Sequence, residues 1–274
     1  GALLLTGANL ALRLAGMSFQ VYLSGRVGAA GVGLLQLILS VKMLAFTVGS
    51  AGARTCALYL SAEALGRRRS VRPALSGCVW YCLLFSLPTA AGLWALTPRI
   101  AAGWIGDAAG EDALRAFALF LPAACLGGVM TGLYTAAGRL RTLVAVEFLE
   151  QFCAMAATFA LLSRWAGGDP GRCCLSVSLG ASAASVLSLW VLWLLRREGA
   201  PLGREDRPPW RRILHIALPV GLADDLRAGL NTIENLIIPR RLALYAGTVN
   251  AMADYGVLHG MVFPVLMFPT AILA

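Results

Sequence analysis

Apolar residues fall along this chain in continuous blocks of about 20, the length an α-helix needs to cross a hydrocarbon core ~30 Å thick. Eight blocks can be read: Ala2–Ser24, Gly33–Leu60, Leu75–Leu96, Leu114–Ala136, Leu143–Leu162, Leu175–Leu195, Ile213–Ile238 and Val257–Ala274. They are long and unbroken, not short and alternating, which favours helices over the strands of a membrane barrel. The expected fold class is therefore all-α, a polytopic membrane protein of about eight transmembrane helices. The first block has no charged leader, contains Arg13 and is followed by further spans, so it reads as a span and not as a signal peptide. Gly1 is not an initiator methionine and leads directly into an apolar block, and Ala274 lies inside another, so the chain is expected to be a fragment of a longer transporter or channel.

Composition agrees with the pattern. Of 274 residues, 58% are hydrophobic and 14% charged, whereas soluble domains sit near half and a quarter. The net charge of +9 follows from the loops and not from any nucleic-acid site. Counted from one side, alternate loops hold Arg67, Arg68, Arg69 and Arg72, then Arg139 and Arg141, then six arginines between Arg196 and Arg212. The opposite loops hold fewer. Positive residues mark the cytoplasmic side, which puts the N-terminus in the cytoplasm and favours contact with anionic lipid headgroups. The seven cysteines mostly lie within apolar spans and show no paired zinc spacing. They read as small packing residues.

The longest polar interruption, RREGAPLGREDRPPWRR at residues 196–212, holds three prolines and many charges and cannot be a membrane span. It divides the chain into an N-terminal six-helix bundle (1–196), a cytoplasmic linker (197–212) and the first two helices of a second bundle (213–274). The second bundle repeats the first. Shifted by 214 residues, Arg13 falls on Arg227 and Gln20 on Glu234. With nine residues added in the outer hairpin, Gly33 falls on Gly256. Repeats of this kind commonly build secondary transporters, with the site between the halves. Six helices return the chain to its starting side, so both halves share one orientation. Small residues, such as Gly49 to Ala53 and the Gly127–Gly128 pair, allow close helix approach in lipid.

Ionisable groups within spans cost ~2.5–3.5 kcal/mol at the helix centre by insertion scales, so each is a candidate. Arg13 lies roughly 18 Å from the inner end of the first span, and Lys42 roughly 13 Å from the outer end of the second. Both are expected at mid-depth, lining a water-filled cavity that holds an anion such as a phosphate or pyrophosphate. Arg54 lies nearer the inner end. Glu147 and Glu150 share one face of the fifth helix and are candidates to partner the cations or bind a proton. The seventh span is the densest in polar groups, with Asp224, Asp225, Arg227 and Glu234. Asp224 and Arg227 are spaced to pair locally. His215 and His259 are isolated, and the GAAGVG string from Gly28 reads as a tight hairpin. No metal cluster and no catalytic set emerges, so an enzyme is not expected and no cofactor is implied.

Several stretches resemble one known family. LNTIENLIIPRRL from Leu230 is very similar to the seventh-helix signature of the stage V sporulation protein B group. That group belongs to the multidrug, oligosaccharidyl-lipid and polysaccharide exporter superfamily. RLAGMSFQVYLSGRVGAAGVGLLQL from Arg13, SAGARTCALYLSAE from Ser50, the Glu150–Gln151 pair and YGVLHGMVFPVLMFP from Tyr255 agree with it. The resemblance implies two six-helix bundles with up to two extra helices, of which this chain holds the first bundle and the start of the second. It implies a monomeric flippase in the bacterial cell membrane, moving an undecaprenyl-linked sugar or peptidoglycan precursor outward, for cell-wall or spore-cortex polysaccharide. Relatives that flip peptidoglycan precursor use cavity arginines in the first two helices, a pattern that Arg13 fits and for which Arg54 and Lys42 are candidates. Asn231 lies in the signature. One departure stands out: Ala53–Arg54 occupies the place of a common Ile-Pro.

The expected mechanism is alternating access by two rocking bundles. Arg13, Lys42 and Arg54 would grip the diphosphate of a lipid-linked sugar. Polar groups at Asp224, Asp225, Arg227, Asn231, Glu234, Glu147 and Glu150 would line the cavity or couple the motion to H+ or Na+. The rival readings are a multidrug/cation antiporter of the same superfamily and a non-transporting membrane scaffold. An antiporter would want a deep carboxylate where the first helix offers Arg13.

Overall fold

The computed structural model describes residues 2–105, 110–165, 169–195, 210–245 and 251–263. The described residues are helical apart from short turns and contain no strand. In order they form α1 (Ala2–Ser50), α2 (Ala53–Gly66), α3 (Arg72–Ile100), α4 (Glu111–Ala136), α5 (Leu140–Trp165), α6 (Pro170–Leu194), α7 (Trp210–Tyr245) and α8 (Ala251–Val257). Short π-helical turns extend α3 over Ala101–Ile105 and α8 over Leu258–Val262. The first of these follows Pro98, which breaks the regular ladder of α3.

The expected hairpin in α1 turns at Gly28, whose φ of 75° and ψ of 172° fit no helix and favour a residue without a Cβ. The two arms fold back on one another. A Cβ on Gly260 would meet both Val32 and, at 3.5 Å, the amide of Gln20. In a straight helix those two residues would lie about 18 Å apart. The stretch Leu10–Ser50, 41 residues long, is thus two crossings. Five helices among the described residues are long and apolar enough to span a membrane, this double one included. The seventh expected span, within α7, carries too many charges to qualify on hydropathy, and the eighth runs into residues 264–274, outside the described residues.

A second break separates α1 from α2. Ala51 (φ 43°) and Gly52 (φ 73°) both adopt left-handed conformations, which interrupt the ladder between Ser50 and Ala53. The helix breaks here without a proline. Tyr81 of α3 donates its hydroxyl hydrogen bond to the freed carbonyl of Ala51 at 3.1 Å, as buried backbone requires.

Small residues set the close crossings. A Cβ on Gly132 of α4 would strike the carbonyl of Arg54 and come within 3.1 Å of the Leu58 amide. Gly180 of α6 leaves room for Thr158 and the carbonyl of Ala154 on α5. Asp169 caps α6 by accepting from the Gly171 amide at 3.3 Å, with Pro170 in the first turn. No disulfide joins the cysteines among the described residues, and six of them are buried, including Cys56, Cys78, Cys82 and Cys125 in the core.

Most of the expected linker, residues 197–209, lies outside the described residues, but its end does not. Trp210, Arg211 and Arg212 form the first turn of α7, and Arg212 reaches back to Glu63 of α2 at 3.0 Å. From there α7 and α8 pack on α1, where the sequence repeat has a structural counterpart. A Cβ on Gly33 would collide with the Met252 carbonyl and sit 3.3 Å from the Gly256 amide. A Cβ on Gly256 would collide with the Ala29 carbonyl and sit 2.8 Å from the Gly33 amide. Met252 is the repeat mate of Ala29, as Gly256 is of Gly33. The contact is therefore reciprocal, the signature of a two-fold relation between the halves.

Candidate functional site

The helix break at Ala51–Gly52 places Arg54 in the first turn of α2, facing α4 across Gly128. There Arg54 lines a cavity of about 220 Å³ inside the first bundle. Glu147 and Glu150 of α5 line the same cavity, with Thr131 of α4 and Ser185 and Ser188 of α6. Gly127 leaves the space open, since a Cβ there would meet nothing within 4 Å. The two glutamates also border a second cavity of about 310 Å³, which Leu12 of α1 and Gln151 complete. One helical face of α5 thus looks into two adjoining recesses, and a cation and two carboxylates share one of them. This brings Arg54 together with Glu147 and Glu150. The hydroxyls of Thr131, Ser185 and Ser188 carried no such signal, because serine and threonine are frequent throughout these spans.

Lys42 departs from expectation. It was expected on the wall of a water-filled cavity, but it is only 7% exposed. Its Nζ donates to the Ser178 hydroxyl of α6 at 3.2 Å and stands 4.7 Å from the ring centroid of Phe117 on α4. The charge is held by a hydroxyl and an aromatic face, within the packing of the bundle and apart from the Arg54 cavity. The cause is angular: the second arm of α1 turns Lys42 toward α4 and α6.

Arg13 is exposed on the first arm of α1. It adjoins Leu12, which borders the second cavity. Polar groups also mark α7, which has three distinct faces. Ala217, Gly221, Thr232, Asn235 and Pro239 are buried against the first bundle. Leu218, Leu222, Leu226, Leu230 and Ile237 form an exposed apolar face. Asp224, Arg227, Asn231 and Glu234, spaced three, four and three apart, form an exposed polar stripe between them. Asp224 and Arg227 make no ion pair, contrary to the local pairing their spacing allowed; among the described residues Arg13, Arg54 and Arg227 make none either. Asp225 parts company with its neighbour. It is only partly exposed, and its Oδ1 is buried with no hydrogen-bond partner among the described residues.

Further polar contacts on the packed face of α7 were not singled out from the sequence. The Asn235 amide donates to the Ser40 hydroxyl at 2.9 Å, and the Thr232 hydroxyl is within 3.2 Å of the Ser40 carbonyl. Away from α7, Gln20 of α1 donates to the Gly260 carbonyl in the turn after α8 at 2.6 Å. Thr232 and Asn235 lie inside the LNTIENLIIPRRL stretch, so its polar letters divide between a packed face and an exposed one. Among the described residues no group of His, Cys, Asp and Glu is placed to hold a metal ion.

Similarity to solved structures bears on the architecture. An outward-facing multidrug resistance MATE family transporter of the MOP superfamily matches with a TM-score of 0.66 at 18% identity, over 96% of this chain and 60% of that one. The chain has the fold of a MATE transporter. The MATE multidrug transporter DinF-BH, solved as a complex, matches with a TM-score of 0.63 at 18% identity, over 96% of this chain and 58% of that one. The chain thus spans about three fifths of the length of these transporters, in keeping with one six-helix bundle plus the opening of a second. No family model and no curated protein matches it.

Proposed function

We propose that the chain is part of an alternating-access transporter of the bacterial cell membrane whose cargo is a lipid-linked sugar diphosphate. The observation that carries this reading is the set Arg13, Arg54 and Arg227. All three are exposed, lie within helices of the bundle and lack an ion pair among the described residues. A charge left against lipid costs several kcal/mol. A charge facing a hydrated chamber does not, and guanidinium groups bind phosphates in bidentate fashion. Lys42, held by Ser178 and Phe117, takes no part in this grip. The prenyl tail would stay in lipid while the sugar crosses in the chamber, and Asp224, Asp225 and Glu234 are candidates to couple the motion to H+ or Na+. In this reading the N-terminus is cytoplasmic, and the cargo serves cell-wall or spore-cortex polysaccharide synthesis.

A second reading, a multidrug/cation antiporter, has specific support. Glu147 and Glu150 line an internal cavity, and two of the structural neighbours are multidrug transporters. The two readings separate in vesicles holding the full-length protein. Flipping of a fluorescent lipid-linked sugar diphosphate, lost in Arg13→Ala and kept in Glu147→Gln, supports the first. Efflux of a cationic dye that fails in Glu147→Gln, with no lipid flipping by wild type, overturns it in favour of the second.

A further inference from the structure

α7 meets the first bundle along an antiparallel seam that runs from the second arm of α1, past the Ala51–Gly52 break, into α2. Ser40 accepts from the Asn235 amide at 2.9 Å. Further along, a Cβ on Gly52 would strike the Ala217 carbonyl and come within 2.9 Å of the Gly221 amide. Next, the fully buried Cys56 thiol stands 3.9 Å from the Ile213 carbonyl. The seam ends on charges. Arg212 sets its two terminal nitrogens on the two oxygens of Glu63, Nη1 on Oε1 at 3.1 Å and Nη2 on Oε2 at 3.0 Å. Arg67, one turn along α2, meets Oε1 at 3.0 Å.

Helix stability does not explain these positions. Glu63 lies in the last turn of α2 and Arg212 in the first turn of α7. Each sits at the end of its helix where the macrodipole disfavours its charge, and across the seam the two cancel. The rule that gathers positive charge on this face does not explain Glu63 either, the one acidic residue between positions 53 and 72. A forked arginine–carboxylate pair is demanding in geometry. This one closes only when α2 and α7 lie together at that end. Arg67 gives the pair a way to open. It rides on the same helix as Glu63 and stays with the carboxylate when Arg212 leaves. A carboxylate stripped of every partner is penalised more than one that keeps a partner.

We propose that Glu63 and Arg212 form a latch that closes the arginine-rich end of the seam, and that Arg67 holds Glu63 while the latch is open. The proposal rests on the alternating-access reading, in which the halves part at one face and then at the other. Glu63 is then a positioning residue for transport, and Arg67 and Arg212 act on it in opposite senses.

The test uses the full-length protein in vesicles, with every cysteine except Cys56 replaced. The readout is the rate at which an impermeant thiol reagent, added at the arginine-rich face, modifies Cys56. Glu63→Gln and Arg212→Gln should each raise the rate about two- to five-fold, the range an exposed ion pair commands. Arg212→Lys, a point charge without the fork, should fall between these and wild type. Arg67→Gln should lower the rate, because the open state then leaves Glu63 bare. Added salt should raise the rate in wild type and not in Glu63→Gln. A loosened fold would also raise the rate, so the deciding signs are the fall in Arg67→Gln and the salt response of wild type. Rates unchanged in Glu63→Gln and Arg212→Gln overturn the latch, as does a wild-type rate indifferent to salt or a rise in Arg67→Gln. Cys56 that reacts in no variant at any salt removes opening at this face, and with it the alternating-access reading itself.

Discussion

Lys42 and Arg13 are both cations within the two arms of α1, and their surroundings are opposite. Lys42 is sealed among α4 and α6 with a hydroxyl and an aromatic ring for company. Arg13 stands exposed with no ion pair among the described residues. Position along a span is therefore a poor guide to burial in this molecule. What separates the two is the helical face. One points into close-packed protein and the other toward whatever fills the space beside the bundle.

That contrast can be tested at four points, from the largest effect to the smallest. In a cysteine-free background, a thiol placed at position 13 should react with a membrane-impermeant reagent, while one at position 42 should react only after denaturation. Equal labelling would erase the distinction. Lys42→Ala leaves a void among Phe117, Ser178 and neighbouring packing, and should cost about 2–4 kcal/mol, by analogy with large-to-small core substitutions. Thermal unfolding in detergent reads this out. Arg13→Ala should change stability by no more than about 0.5 kcal/mol, as expected for an exposed side chain, while transport by the full-length protein falls. A large loss of stability would show that Arg13 is structural. Lys42→Met keeps the volume and removes the charge. Exchanging a buried ion for a packed apolar group is often neutral or stabilising, so its melting temperature should equal or exceed that of wild type.

The sequence carried the architecture well and the orientation of side chains unevenly. Apolar block length revealed the crossings, and the glycine-rich string at Gly28 marked the hairpin that φ confirms. The repeat was legible because Gly33 and Gly256 must both lack a Cβ where they touch. Lys42 was misplaced for a physical reason. The second arm of α1 is apolar nearly all round, so its sequence names no inner face. On α7 the polar letters at Asp224, Arg227, Asn231 and Glu234 recur at helical spacing, and the stripe could be read directly. Asp225 shows the limit of such reading. One residue's shift rotates a side chain by about 100°, enough to carry it off the exposed stripe and bury one of its oxygens. The break at Ala51–Gly52 was hidden, because neither Ala51 nor the small residues around it announce a left-handed turn.

The meeting of Gly33 with Gly256 has a mechanical corollary. Each main chain rests on the other with no side chain between, so tilting one half against the other there requires no rotamer to change. A bearing of that kind turns without steps. Lining it with even a methyl group would pry both arms apart at once, because the same pair of amides and carbonyls bounds the gap from either side.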